Sequence, residues 1–237
     1  MSAENAADAE NAVSPLDNPV WGSLNGAHRA FAEYSGSGAA RYRLDTNVFA
    51  ALADPRDPAA WADLAALTGP GEEVWLTGLP TPPEGWETVL SIPGVQLDGR
   101  AVRVEHAPDA VRLGPADVEE MTALVKLTEP GPFLPRTVEL GTYLGIRHEG
   151  RLVAMAGERM RPPGWTEISA VCTHPDFRGR GLAARLVRAV AAGIRDRGEL
   201  PFLHAAAANT GAIRLYESMG FVLRREPVFI GVRSPKE

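Results

Sequence analysis

Two arginines interleaved with two glycines, Arg178-Gly179-Arg180-Gly181, stand where an apolar run ends and a long amphipathic run begins, within AVCTHPDFRGRGLAARLV at residues 170–187. The segment reads as a strand, a tight turn and a helix start in immediate succession, and that succession makes an anion site. The first backbone N–H groups of a helix have no internal acceptor, and their aligned dipoles favour negative charge. Glycines at 179 and 181 let a phosphate approach without a Cβ in the way, while Arg178 and Arg180 add charge-assisted donors, so a pyrophosphate would fit here. No Gly-Lys-Ser/Thr follows, so this is not a Walker loop, and the third glycine and the acidic residue of a dinucleotide fingerprint are missing. Alone, the tetrapeptide would suit a solvated turn or an arginine-glycine nucleic-acid element; its strand and helix neighbours favour the phosphate.

Other side chains with chemical potential lie close by. Strand alternation from Thr166 to Thr173 puts Glu167, Ser169, Val171 and Thr173 on one face and Ile168, Ala170 and Cys172 on the other. Glu167 is then either a carboxylate beside whatever binds along that face or a strand residue facing solvent or an arginine. Cys172 reads as a small core residue rather than a nucleophile. Tyr216 falls on a helix beside Ile213 and Met219, where packing alone would account for it, and Asn209 is placed to cap that helix. His174, before Pro175 in the turn, and His204, at the end of an apolar strand, read as satisfied polar groups, and no His/Asp/Glu cluster has metal spacing.

The elements that must position these residues follow from periodicity and punctuation. Strands are predicted over 142–147 and 151–159, joined by Glu149-Gly150 as an antiparallel hairpin, then over 165–173, 201–205, 221–224 and 228–232. Leu182, Leu186, Val187, Val190 and Ile194 form the apolar stripe of a helix over 181–197 that Gly198 ends, and a shorter helix over 209–219 stops at Gly220. Upstream, 103–105 and 111–113 are short strand material. Pro115 opens a helix with Val118, Met121, Leu124 and Val125 on one face, ending around Lys126. Residues 127–137 hold three prolines and form a loop that either borders a pocket or merely connects.

At this point a resemblance becomes specific. Arg178-Gly179-Arg180-Gly181-Leu182-Ala183 is similar to the Arg/Gln-x-x-Gly-x-Gly/Ala pattern of the GNAT superfamily of N-acetyltransferases, preceded by its common His174-Pro175 turn. Asn209, Ala212, Leu215-Tyr216-Glu217 and Gly220-Phe221 resemble the second block of that superfamily, at a suitable distance downstream. The likeness covers about residues 103–232. It implies an α/β (α+β) fold, a mixed, mostly antiparallel sheet flanked by helices, in which strands 165–173 and 200–205 splay apart. It also implies acetyl-coenzyme A as cofactor, its pantetheine arm pairing near Val171, Cys172 and Thr173, its phosphates on Arg178, Gly179, Arg180, Gly181, Leu182 and Ala183, and Asn209 touching the arm. The Val171 amide would donate to the thioester carbonyl, Tyr216 would be the general acid, and Glu167 would occupy a base position, acting through water. The activity implied is direct acetyl transfer to a primary amine on a small molecule or peptide; a coenzyme A binding regulatory module without turnover is the alternative.

The rest of the chain sets bounds. A formal charge of -6 argues against a broadly basic nucleic-acid surface, and 45% hydrophobic with 23% charged residues suits a soluble globular protein, monomer or homodimer. One cysteine excludes an internal disulfide and fits a reducing cytoplasm, and no apolar stretch approaches a membrane span. Residues 1–13 read as a disordered tail without secretory features, 14–100 as an N-terminal α/β region and 101–237 as the N-acetyltransferase domain, with a boundary near Gly99. The N-terminal region carries a helix over 57–67 and a strand over 73–79, followed by a Pro-rich loop. It displays no chemistry, and Trp61 and Trp75 are assigned to packing. It is either a degenerate GNAT-like unit or a specificity domain, and the absence of a second Arg-rich motif predicts one cofactor per chain.

Overall fold

A computed structural model describes residues 14–78 and 81–236. The tail expected over 1–13 and the Leu79-Pro80 step between the expected strand and loop lie outside the described residues. The chain opens with α1 (Pro19–Leu24), β1 (Ala32–Ser35), β2 (Ala39–Tyr42), β3 (Ala50–Leu52), α2 (Pro58–Thr68), β4 (Glu73–Thr77) and the long β5 (Glu87–Asp98). It continues through β6 (Val111–Leu113), α3 (Val118–Thr128), β7 (Tyr143–His148), β8 (Arg151–Glu158), β9 (Trp165–Thr173) and α4 (Leu182–Asp196). It closes with β10 (Leu200–Ala206), α5 (Thr210–Ser218), β11 (Val222–Arg225) and β12 (Val228–Arg233). Local chemistry sets these ends. The Asp57 carboxylate accepts from the Ala59 N–H in front of Pro58, and Gly69, at φ 92°, stops α2. The β7–β8 hairpin turns on Glu149 and Gly150, both at positive φ, which matches the twist of the strands it joins.

Among the described residues, β4-β12-β5-β10-β9-β8-β7-β6 form one sheet in that order, with β11 also paired to β5, and β1-β2-β3 form a second. Helices cover both faces of the large sheet. Leu186, Val187, Val190 and Ile194 of α4 are buried against Ile146, Val153, Ile168 and Leu203 on one side. Met121 and Leu124 of α3 pack against Leu152, Met155 and Cys172 on the other. Each fully buried aliphatic side chain contributes about 1.5–3 kcal/mol, so these stripes anchor the helices more firmly than their intrinsic propensity does. α3 is entered through a 3-10 turn at Pro115–Asp117 and runs two residues beyond Lys126.

Two expectations need correcting. The division near Gly99 does not part the sheet: β5, which precedes it, lies between β10 and β12, and Leu97 sits opposite Leu203. A further core joins Leu16, Val20, Tyr42 and Phe49 to Met160, Phe202 and Phe229, so the two parts of the chain bury apolar surface together. Residues 103–105 form no strand. The Arg103 N–H donates to the Met219 carbonyl just past α5 and that of Glu105 to the Arg188 carbonyl within α4, which satisfies this backbone against helices rather than a strand edge.

Candidate active site

The centre of the sheet opens. β9 and β10 pair in parallel only from Trp165/Leu200 to Ile168/Leu203; beyond that, β9 stays with β8 and β10 with β5. The cause is local to β9. Ala170 has φ 51°, and the β8–β9 register shifts between Met155 and Gly157, the signature of a bulge, which bends the strand away from its neighbour. The His174 N–H donates to Val153 on the β8 side, so alternation turns the main-chain groups of Val171 and Thr173 toward the gap.

The bulge also changes which side chains share a face. Ile168 and Val171 pack with α4, whereas Ala170 and Cys172 pack with α3. The alternation expected over 166–173 therefore fails: Glu167, beside Phe202 in the register, is on the face opposite Ile168 and Val171. Nothing in TEISAVCT marks this, because the residue at positive φ is an alanine.

On the α4 side lies a cleft of about 640 Å³, within the usual range for small-molecule sites. Val171, Cys172, Thr173, Arg178, Gly179, Gly181, Leu182, Ala183, Asn209 and Tyr216 all line it. Of the expected cofactor residues, Arg180 alone is absent from the lining; its guanidinium stands 4.7 Å from the Phe177 ring centroid and donates to the Asp176 carbonyl. Gly179 and Gly181 have φ 76° and 74°, alternating with Arg180 to turn successive N–H groups outward into an anion nest. No side chain caps α4. Neither Arg178 nor Arg180 has a carboxylate partner among the described residues, and the Thr173 hydroxyl is buried in the cleft without a hydrogen bond. Unfilled donors at one end and an orphaned hydroxyl along the arm fit a phosphate-bearing, amide-bearing cofactor.

At the inner end sit Tyr216 and Cys172. The Tyr216 hydroxyl makes no hydrogen bond with the described residues, and burial, with Cys172 nearby, pushes it up to about 12, so it carries its proton at neutral pH. Burial raises the Cys172 thiol to about 11 against bonds to Thr128 and Met155. Asn209 accepts from the Ala212 N–H at 3.1 Å, capping α5 from the cleft wall.

Glu167 is elsewhere. Its side chain is fully buried, takes two bonds from Arg159 at 2.9 and 2.7 Å, and faces His204 Nδ1 at 2.8 Å. Burial alone would raise its pKa, but the Arg159 charge and these bonds hold it down, to about 2. A carboxylate so committed is a poor proton acceptor near neutrality, which counts against the base position expected for it. His204 Nε2 meets the Gln96 amide at 3.1 Å, so both ring nitrogens are engaged.

Beyond the gap from the cleft is a smaller pocket of about 140 Å³, with Phe49, Trp75, Ile92 and Phe229 around Arg159 and His204. Pro130 lines both cavities. Two residues here escape sequence reasoning. Trp75, assigned to packing, forms part of the pocket wall. Glu129 lines the cleft at the end of α3 in the left-handed conformation, φ 48° and ψ 51°, and is the one carboxylate among the described residues lining either cavity. The Pro-rich run after Leu127 was the available signal, since a loop stiffened by Pro130 holds such a residue in place.

Comparison with known proteins agrees with this geometry. A family model, FR47-like protein, matches residues 143–230. A crystal structure from Novosphingobium aromaticivorans, described as an acetyltransferase from the GNAT family, is 46% identical with a TM-score of 0.84, covering 93% of this chain and 98% of that one. Mycothiol acetyltransferase of Thermobispora bispora is 40% identical over 82 residues, 34% of this chain and 27% of that protein. N-alpha-acetyltransferase RimI of Mycobacterium tuberculosis is 36% identical over 84 residues, 33% of this chain and 51% of that protein. The chain thus spans about a quarter and a half of the lengths of these two curated relatives. Among the described residues, no helix is long and apolar enough to cross a membrane.

Proposed function

The chain belongs to the GNAT family of acetyltransferases, and on that premise we propose that it moves an acetyl group from acetyl-coenzyme A directly to the nitrogen of a primary amine. One observation carries this reading: an uncapped helix start flanked by two unpaired arginines opens into a cleft that ends at a protonated, unpartnered tyrosine. Arg178, Gly179, Gly181, Leu182 and Ala183 would hold the phosphates, and the main chain of Val171 and Thr173 would hold the amide-bearing arm. When bound, acetyl-coenzyme A would supply an activated acetyl group for the amine nitrogen, with the coenzyme A thiol as the leaving group.

The residues divide the remaining work. Tyr216 donates a proton to the departing sulfur, and the Val171 N–H faces developing negative charge on the carbonyl oxygen. Glu129, rather than Glu167, receives the proton that the amine loses, directly or through a water molecule. Glu167 holds Arg159 and His204 in place as the wall of the neighbouring pocket. The N-terminal region acts as a specificity unit, since Phe49, Trp75 and Ile92 reach that pocket.

The test is titration with coenzyme A, followed by thiol release from acetyl-coenzyme A across a panel of amines. Binding with amine-dependent release is expected; tight binding without release under any amine would make the protein a cofactor-binding module instead. Glu129→Gln should lower kcat/KM about tenfold or more at neutral pH, with coenzyme A affinity nearly constant. An unchanged kcat/KM would take the proton-accepting role away from Glu129.

A further inference from the structure

The pocket across the gap from the cleft has a chemistry of its own, and we propose that it selects a primary amine bearing one positive charge and a flat, ring-sized apolar body. The inference rests on the acetyltransferase reading for what happens to that amine, but not for what the pocket holds.

Three observations converge. The first is size: about 140 Å³ is close to the roughly 150 Å³ of an apolar protein cavity that takes up a benzene ring. The second is the wall. Phe49 meets Trp75 edge to face with centroids 6.4 Å apart, and Phe229 stands 6.1 Å from Phe49 and 5.5 Å from His204. Rings braced against one another in this way present fixed faces and edges to a guest ring at little entropic cost.

The third is charge. Arg159 lines the pocket while its partner Glu167 lies fully buried behind it, so the guest meets the guanidinium and not the carboxylate. That guanidinium already stands 5.3 Å from the Phe49 ring centroid, occupying the place where a guest cation would profit from the aromatic face. A second ammonium group pushed into this pocket would lose its hydration, meet a like charge and find no carboxylate in the lining. The guest's single amino group is accommodated at the other end, where Pro130 joins the pocket to the cleft and Glu129 stands beside it. Diamines and polyamines are thereby disfavoured, and so are amines whose apolar part is too small to fill the walls.

Binding and transfer are measured separately on the full chain, in the presence of coenzyme A for binding and acetyl-coenzyme A for transfer, with 2-phenylethylamine and 1,4-diaminobutane as probes. Calorimetry should show 2-phenylethylamine binding about tenfold or more tighter than the diamine, with the preference shrinking in Trp75→Leu. Phe49→Leu provides a second variant should the first fail to fold. Tight binding of 2-phenylethylamine without acetylation of it or of any amine in the panel would uphold the pocket and overturn the acetyltransferase reading. Equal or tighter binding of the diamine, or no binding of either probe, would overturn the pocket assignment. Acetylation of the diamine in that case would leave the acetyltransferase reading standing.

Discussion

The cleft and the pocket flank the same gap between β9 and β10, yet they are assembled by opposite means. Apart from Thr128–Pro130, the cleft draws its lining from two stretches, 171–184 and 209–216, and leaves its polar groups open: helix N–H groups, Arg178 without a carboxylate partner, the hydroxyls of Thr173 and Tyr216. The pocket gathers side chains from Phe49 to Phe229 and leaves little open, because Arg159, Glu167, His204 and Gln96 satisfy one another. Unfilled donors select a polar, charged ligand. A closed network behind aromatic walls selects an apolar one.

The comparison breaks most visibly if the closed network proves dispensable. Glu167→Gln leaves the Arg159 guanidinium buried without its counter-charge and should cost about 3–5 kcal/mol of stability, read as a lower urea midpoint with an unchanged slope. A loss under about 1 kcal/mol would mean that Arg159 finds water, and the pocket would then be wetter than its lining implies. On the cleft side, Gly181→Glu sets a carboxylate at φ 74° against the phosphate site and should weaken coenzyme A binding about a hundredfold or more while sparing the urea midpoint by comparison. Unchanged affinity would remove the nest from the site. Tyr216→Phe sharpens the contrast by subtracting one proton: kcat should fall about tenfold to a hundredfold with coenzyme A affinity nearly constant. Equal losses in both would make the hydroxyl a binding group.

The same contrast explains what the sequence discloses. The cleft was legible because its parts are contiguous: a strand, an Arg-Gly turn and a helix stripe are local patterns, and Trp165–Thr173 is found with the ends that periodicity predicts. The fold class followed from the same run of elements. The pocket was not legible, because strand pairing across the chain leaves no local trace. Nothing in residues 87–98 announces that β5 inserts between β10 and β12, and nothing near Trp75 announces that Phe229 shares its pocket. The bulge at Ala170 is a tertiary override of alternation, and it put Glu167 on the wrong face. Glu129 was hidden by its place in a loop whose composition fits a connector equally well.

A pH dependence tests whether the satisfied network continues into the N-terminal layer behind the pocket. His28 is buried, with Nδ1 2.8 Å from the Tyr42 hydroxyl and Nε2 2.9 Å from the Leu140 carbonyl. Burial, helped by the Arg161 charge and opposed by the bond to Leu140, lowers its pKa from 6.5 to about 4. The folded state thus binds fewer protons than the unfolded one between those values, so the stability contributed by neutral His28 is fully present above about pH 6.5 and is lost as the pH falls toward 4. The slope in that window should approach about 1.4 kcal/mol per pH unit. Urea midpoints at pH 7, 6, 5 and 4 measure it, and His28→Gln should flatten the curve whatever it does to stability at pH 7. A curve just as steep in the variant would place the titrating group elsewhere, and His28 would then be no stricter in its neutrality than a surface histidine.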